Sequence, residues 1–106
     1  LTYLTLNNNI LYGMIPIEIT NLINLTTLDL RYNDLSGEIP SELGNLTNLN
    51  TLDLRDNALS GEIPEEICNQ GDITPSLYGN HLCPPYPDCG DGPITSEDEQ
   101  DTSNCP

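Results

Sequence analysis

Arg31 and Arg55 are the only basic residues in this 106-residue chain apart from His81, and they stand 24 positions apart. Asp29 and Asp53 precede them at equal distance, and Tyr32 and Asp56 follow them directly. Paired opposite charges beside a tyrosine suit ion pairing and partner recognition, since arginine and tyrosine are the usual interface anchors. Bond-making chemistry has no comparable support. The single histidine, His81, sits beside Leu82 and Cys83 with no evident acid or base partner. No Gly-x-Ser-x-Gly elbow occurs, and the glycines recur singly instead of clustering as a phosphate loop does. Neither a catalytic residue nor a cofactor is expected.

Charge narrows the partners further. Seventeen acidic residues against two arginines, with no lysine, give a formal net charge of −15, a potential that repels phosphates and anionic lipid. Nucleic acid and membrane insertion are therefore not expected, and no apolar run approaches the ~18 residues of a span. Cys68, Cys83, Cys89 and Cys105 are an even set confined to the C-terminal part of the chain. Their intervals of fourteen, five and fifteen residues lack the short gaps of structural zinc, so disulfides in an oxidising compartment are expected, and no metal. The acidic stretch 88–101 matches no calcium loop and is read as a solvated tail.

A repeat must position all of these residues. At an offset of 24 the segments 1–24, 25–48 and 49–72 align without a gap, with thirteen identities between the first two and fifteen between the second and third. A fixed period in this range marks a solenoid whose units stack on their neighbours. Leu1, Leu4 and Leu6, and their equivalents Leu25, Leu28, Leu30, Leu49, Leu52 and Leu54, alternate as a strand buried on one face does. Asn9, Asn33 and Asn57 follow, where an amide can both donate to and accept from the backbone of a turn, so they are read as structural. Gly13, Gly37 and Gly61 come next, then Ile-Pro at 15–16, 39–40 and 63–64, where proline fixes φ ahead of a short helical turn.

The segment Leu25-Thr-Thr-Leu-Asp-Leu-Arg-Tyr-Asn-Asp-Leu-Ser-Gly-Glu-Ile-Pro-Ser-Glu-Leu-Gly-Asn-Leu is similar to the 24-residue leucine-rich repeat of plant extracellular receptors. The resemblance covers residues 1–72 as three repeats. It implies a right-handed α/β-type solenoid with a parallel β-sheet on the concave side, short 3-10 turns on the convex side and often a second small sheet. Residues 73–106 resemble the cysteine-containing C-terminal cap of that family, through Gly79-Asn80-His81-Leu82-Cys83-Pro84-Pro85. Ile73, Leu77, Asn80 and Leu82 are read as a degraded fourth strand. Of three possible cystine pairings, Cys83–Cys89 with Cys68–Cys105 is favoured.

On such a solenoid, repeat positions 3, 5, 7 and 8 form surface columns: Tyr3-Thr27-Thr51, Thr5-Asp29-Asp53, Asn7-Arg31-Arg55 and Asn8-Tyr32-Asp56. Two readings apply to the charged columns. Diagonal Asp–Arg contacts between neighbouring strands relieve like-charge repulsion. Alternatively Tyr3, Thr5, Asn7, Asp29, Arg31, Tyr32, Asp53, Arg55 and Asp56 form a binding surface for a protein or peptide, as the concave and lateral faces do in the resembled family. Asn24-Leu25-Thr26 and Asn45-Leu46-Thr47 fit the glycosylation acceptor rule.

The repeat is already under way at Leu1, so the sequence reads as the C-terminal piece of a longer array. The expected function is a secreted or cell-surface, non-catalytic recognition module. The alternative is a self-assembling or adhesion element stacking through its uncapped N-terminal strand edge. A regular ice-binding surface is disfavoured because the charged columns interrupt it.

Overall fold

The computed structural model describes residues 1–106, and each 24-residue period forms one coil. The first coil contributes β1 (Tyr3–Thr5) and β2 (Tyr12–Gly13), the second β3 (Thr27–Asp29) and β4 (Asp34–Gly37), and the third β5 (Thr51–Asp53) and β6 (Ala58–Glu62). The cap adds β7 (His81–Cys83). All pairing between these strands is parallel, in two sheets ordered β1-β3-β5 and β2-β4-β6-β7. After each second strand comes Ile-Pro and a 3-10 turn, at Ile17–Asn21, Ser41–Asn45 and Glu65–Asn69. The preceding prolines hold φ between −63° and −69° with extended ψ, the geometry that the pyrrolidine ring imposes.

Register follows from the leucine spine. Leu4, Leu28 and Leu52 are direct partners across the first sheet, and a one-residue slip would turn every one of them to water. Leu25, Leu28, Leu30, Leu43, Leu49, Leu52, Leu54, Leu59 and Ile67 are all but inaccessible, each burial contributing about 1.5–3 kcal/mol. The first coil is the exception, because only one of its flanks is covered. Leu1 is 71% exposed and Leu6 and Leu11 are each more than a third exposed, against the expectation of a buried leucine face there. Gly37 and Gly61 have φ of +76°, and the side chains of Met14 and Glu38 from the preceding coil lie where a Cβ would point. A side chain at either glycine would meet both penalties.

Between the two sheets runs a ladder of amides. Asn33 Nδ2 donates to the Leu6 carbonyl of the coil before it (2.9 Å) and to Leu30 O of its own turn (3.0 Å), while its Oδ1 accepts from Leu11 N (3.1 Å). Asn57 repeats the pattern with Leu30 O, Leu54 O and Leu35 N. Asn80 repeats it again with Leu54 O, Leu77 O and Leu59 N. Each side chain thereby satisfies buried backbone groups of two coils at once. Asn9, the remaining asparagine of this column, is exposed and reaches only Leu6 O and Asn7 O of its own turn.

The cap corrects three expectations. Ile73 does not join the core, being 56% exposed; Pro75 occupies the buried place and Ser76 bridges to Asp53, because the third coil leads into the fourth one residue early, with Leu77 and Asn80 standing 23 and not 24 residues after Leu54 and Asn57. The cystines are Cys68–Cys89 and Cys83–Cys105, with Cα separations of 5.1 and 5.7 Å, not the favoured pairing. After β7 the chain crosses the end of the solenoid, packing Tyr86, Cys89 and Ile94 on the core. That crossing carries Cys89 away from its sequence neighbour Cys83 and onto the 3-10 turn Glu65–Asn69, where Cys68 waits. The acidic stretch is also more than a solvated tail. Its carboxylates are exposed, but Thr95 and Gln100 are buried, and Gln100 Nε2 donates to Leu77 O (2.9 Å) while its Oε1 accepts from Leu82 N (3.3 Å). Gln100 thus ends the amide ladder.

Candidate functional site

The concave sheet fixes the surface columns. Tyr3, Thr27 and Thr51 are partners, as are Thr5, Asp29 and Asp53, with Ser76 bridging beyond. Pairing continues past the strand ends, with Asn8 N donating to Arg31 O, Tyr32 N to Arg55 O and Asp56 N to Tyr78 O. Arg31, Arg55 and Tyr78 therefore share one column, and Tyr32, Asp56 and Gly79 share the next.

Asp29 and Asp53 are buried at the foot of this surface. One oxygen of each accepts the backbone N–H two residues on, from Arg31 (3.2 Å) and Arg55 (3.3 Å). The other faces guanidinium: Asp29 Oδ2 lies 3.5 Å from Arg31 Nε, and Asp53 Oδ2 lies 3.7 Å from Arg31 Nη1 and 3.5 Å from Arg55 Nε. The diagonal Arg31–Asp53 contact is the ladder expected of like-charged neighbours. Burial nevertheless pushes the Asp53 carboxyl above its ordinary pKa, outweighing the Arg55 hydrogen bond and charge that pull it down. Partly exposed pairs of this kind contribute no more than about 1 kcal/mol each; their clearer effect is to fix where the guanidiniums point.

Arg55 lies between two aromatic rings, its guanidinium carbon 5.7 Å from the centre of Tyr32 and 5.6 Å from that of Tyr78. Its Nη1 donates to the Tyr78 hydroxyl at 2.6 Å. That hydrogen bond is the main cause of the upward shift in its pKa, with Asp53 adding to it and desolvation opposing. Each cation–π contact is worth about 0.5–1 kcal/mol at an exposed site. Tyr32 reaches this place from a left-handed backbone, φ +56°. The same position holds Asn8, Asp56 and Gly79 in the other coils, residue types that tolerate positive φ better than tyrosine does. The chain thus carries a bulky ring where a smaller residue would cost less.

Of the nine surface candidates, Asp29, Arg31, Tyr32, Asp53 and Arg55 come together. Asp56 stands beside them, its carboxylate packed against Gly79. Tyr3, Thr5 and Asn7 lie apart on the first coil, where Asn7 Nδ2 donates to Asn8 Oδ1. The cluster gains Tyr78, which sequence reasoning missed because it stands 23 and not 24 residues after Arg55. Gly79-Asn80, falling over Asp56-Asn57, was the available signal. His81 belongs to the cap, its Nδ1 3.5 Å from Asp101 Oδ2, and the Asp101 carboxyl is held below its ordinary pKa chiefly by Ser103. Asn24 and Asn45 are both exposed, Asn45 closing the second 3-10 turn. No helix is long and apolar enough to cross a membrane.

The cluster brings a guanidinium, two tyrosine rings and a phenolic hydroxyl together on the concave face. Family models described as leucine-rich repeats match residues 1–22 once and residues 23–66 as two copies. No curated protein sequence matches the chain. Among solved structures, the plant peptide hormone receptor RGFR1 in complex with RGF2 is 45% identical with a TM-score of 0.78, over 81% of this chain and 14% of that one. The BIR2 ectodomain from Arabidopsis thaliana is 39% identical with a TM-score of 0.82, over 93% of this chain and 53% of that one. A plant ice-binding protein is 40% identical with a TM-score of 0.66, over 74% of this chain and 26% of that one. The chain thus spans between about a seventh and a half of the length of these proteins.

Proposed function

Starting from the fact that the chain belongs to the leucine-rich repeat family, we propose that it is a non-catalytic extracellular recognition module that takes a protein or peptide on its concave sheet. Arg31, Tyr32, Arg55 and Tyr78 form the centre of the contact. The observation that carries this reading is the Tyr32–Arg55–Tyr78 cluster. A guanidinium is held between two rings at a solvent-facing position, and one of those rings is kept on a left-handed backbone. Asp29 and Asp53 position the arginines from below. Tyr3, Thr5, Asn7 and Asp56 extend the surface on either side.

Two cystines fit an oxidising compartment; the likeness to the BIR2 ectodomain supports the location, and the likeness to a plant peptide hormone receptor solved in complex with RGF2 supports the ligand class. Asn24 and Asn45 lie off the concave strands, so glycans there leave the sheet open. The ice-binding neighbour favours a second reading, but a flat array needs one residue type repeated along a column, and Tyr3-Thr27-Thr51 and Thr5-Asp29-Asp53 do not supply it.

Panning a peptide display library against the chain, then scoring the recovered binders on Arg55→Ala and on Tyr32→Ala/Tyr78→Ala, tests the proposal. A loss of about tenfold or more on either variant is expected of a central contact. Binders that keep full affinity on both variants overturn it.

A further inference from the structure

Three aspartates stand on the concave face, and two of them already have cations. Asp29 and Asp53 lie 3.5 to 3.7 Å from guanidinium nitrogens, so neither arginine presents an unmatched charge. Asp56 has no such partner. It is half-buried, its carboxylate rests against Gly79, and it joins no ion pair. Tyr32 N donates to Arg55 O and Asp56 N to Tyr78 O, which places Tyr32 one coil before Asp56 and Tyr78 one coil after it. The two rings are 47% and 38% exposed. Arg55, between them, is occupied by Asp53 and by the Tyr78 hydroxyl.

We propose that Asp56 seats an arginine or lysine side chain of a basic peptide, with Tyr32 and Tyr78 as its aromatic flanks. This rests on the concave reading above and adds the charge of the ligand to it. An unpaired carboxylate offers a cation a charge-assisted hydrogen bond, and a tyrosine face attracts the same cation through its quadrupole. Arg55 covers one face of each ring and leaves the other open. An anionic ligand finds less here, because the guanidinium nitrogens that it needs already face Asp29 and Asp53. The surroundings favour the same sign. Gly79 N donates to Glu99 O and Asn80 bridges Gln100, so the exposed turn Glu97–Glu99 runs alongside Tyr78 as the next rung. A net charge of −15 draws basic peptides towards the chain and turns acidic ones away.

Two peptide display libraries, alike except that one takes its charged residues from Arg and Lys and the other from Asp and Glu, test the proposal when panned on the 106-residue chain. Binders are expected from the basic library, and their affinity should fall about tenfold or more on Asp56→Asn, the loss of one charged contact. Asparagine accepts the left-handed backbone of this position, φ +57°, and an unchanged circular dichroism spectrum checks that the variant folds. Asp34→Asn removes an exposed carboxylate from the second sheet instead, and should leave affinity within about twofold because only the screened general field changes. Binders drawn from the acidic library, or equally from both, that weaken on Tyr32→Ala/Tyr78→Ala but not on Asp56→Asn would overturn the cationic assignment while the concave contact stands. Basic binders that respond alike to Asp56→Asn and Asp34→Asn follow overall charge, and would overturn it too. Binders indifferent to every concave variant, or none from either library, would overturn the concave reading and this inference with it.

Discussion

The two ends of the solenoid present the same structural column in opposite states. At the cap, Asn80 is buried and its amide joins two coils, and Gln100 continues the pattern by one more rung. At the first coil, Asn9 occupies the equivalent place but is exposed and bonds only within its own turn. Residue type is the same in Asn9 and Asn80; what differs is whether a neighbour supplies the remaining donors and acceptors. A rung is therefore a property of adjacent coils, and its energetic value should fall from the cap side towards the first coil.

The largest test removes the covalent part of the closed end. Cys83→Ser/Cys105→Ser should lower unfolding stability by about 2–5 kcal/mol, read by denaturant titration, and a loss under 1 kcal/mol would leave the cap's hydrogen bonds and packing as its main support. Next, Asn57→Ala leaves Leu35 N without its partner and takes one of two amide donors from each of the Leu30 and Leu54 carbonyls, which keep Asn33 and Asn80, and should cost roughly 1–3 kcal/mol. Asn9→Ala should cost less than about 0.5 kcal/mol, as surface changes do. Equal losses at the two asparagines would break the contrast. Gln100→Ala should cost about 1–3 kcal/mol and release protection from hydrogen exchange at Leu82 while sparing Leu35.

The smallest effect is in the pH dependence, and it has opposite signs in two regions. Asp53 on the concave face has its pKa raised by burial, so the folded chain holds that proton more readily than the unfolded one. Stability therefore falls as pH rises through the window just above the ordinary carboxylate range. Asp101 in the cap has its pKa lowered by Ser103. Its stabilising contribution is present above the ordinary range and fades as pH falls below it. Asp53→Asn should remove the first slope and Asp101→Asn the second, in unfolding curves taken from pH 3 to pH 7.

Periodicity explains how much of this was legible beforehand. Leucines, prolines, glycines and the Asp–Arg columns recur at one spacing, so a register read from residues 1–72 placed them before any coordinates. The cap withheld its arrangement because a single missing residue shifts Tyr78 and Asn80 off the period, and because cystine partners depend on where the segment after β7 crosses the core. Gln100 left no trace in the sequence, since its role rests on a side chain one methylene longer reaching a ladder that starts elsewhere. The first coil's open leucines were misjudged for a related reason: the pattern states which face points inward, while coverage comes from the next coil.

Gln100 also frees the closing segment from the repeat it closes. A glutamine on an irregular strand meets the same kind of backbone groups that an asparagine meets from within a coil, so the lid need match the pitch of the last turn and little of its sequence beyond Cys68. Residues 80–106 carry Leu82 with them, so as a terminator transplanted onto another array of this period they ask of the host a carbonyl at the Leu77 place and a cysteine at the Cys68 place.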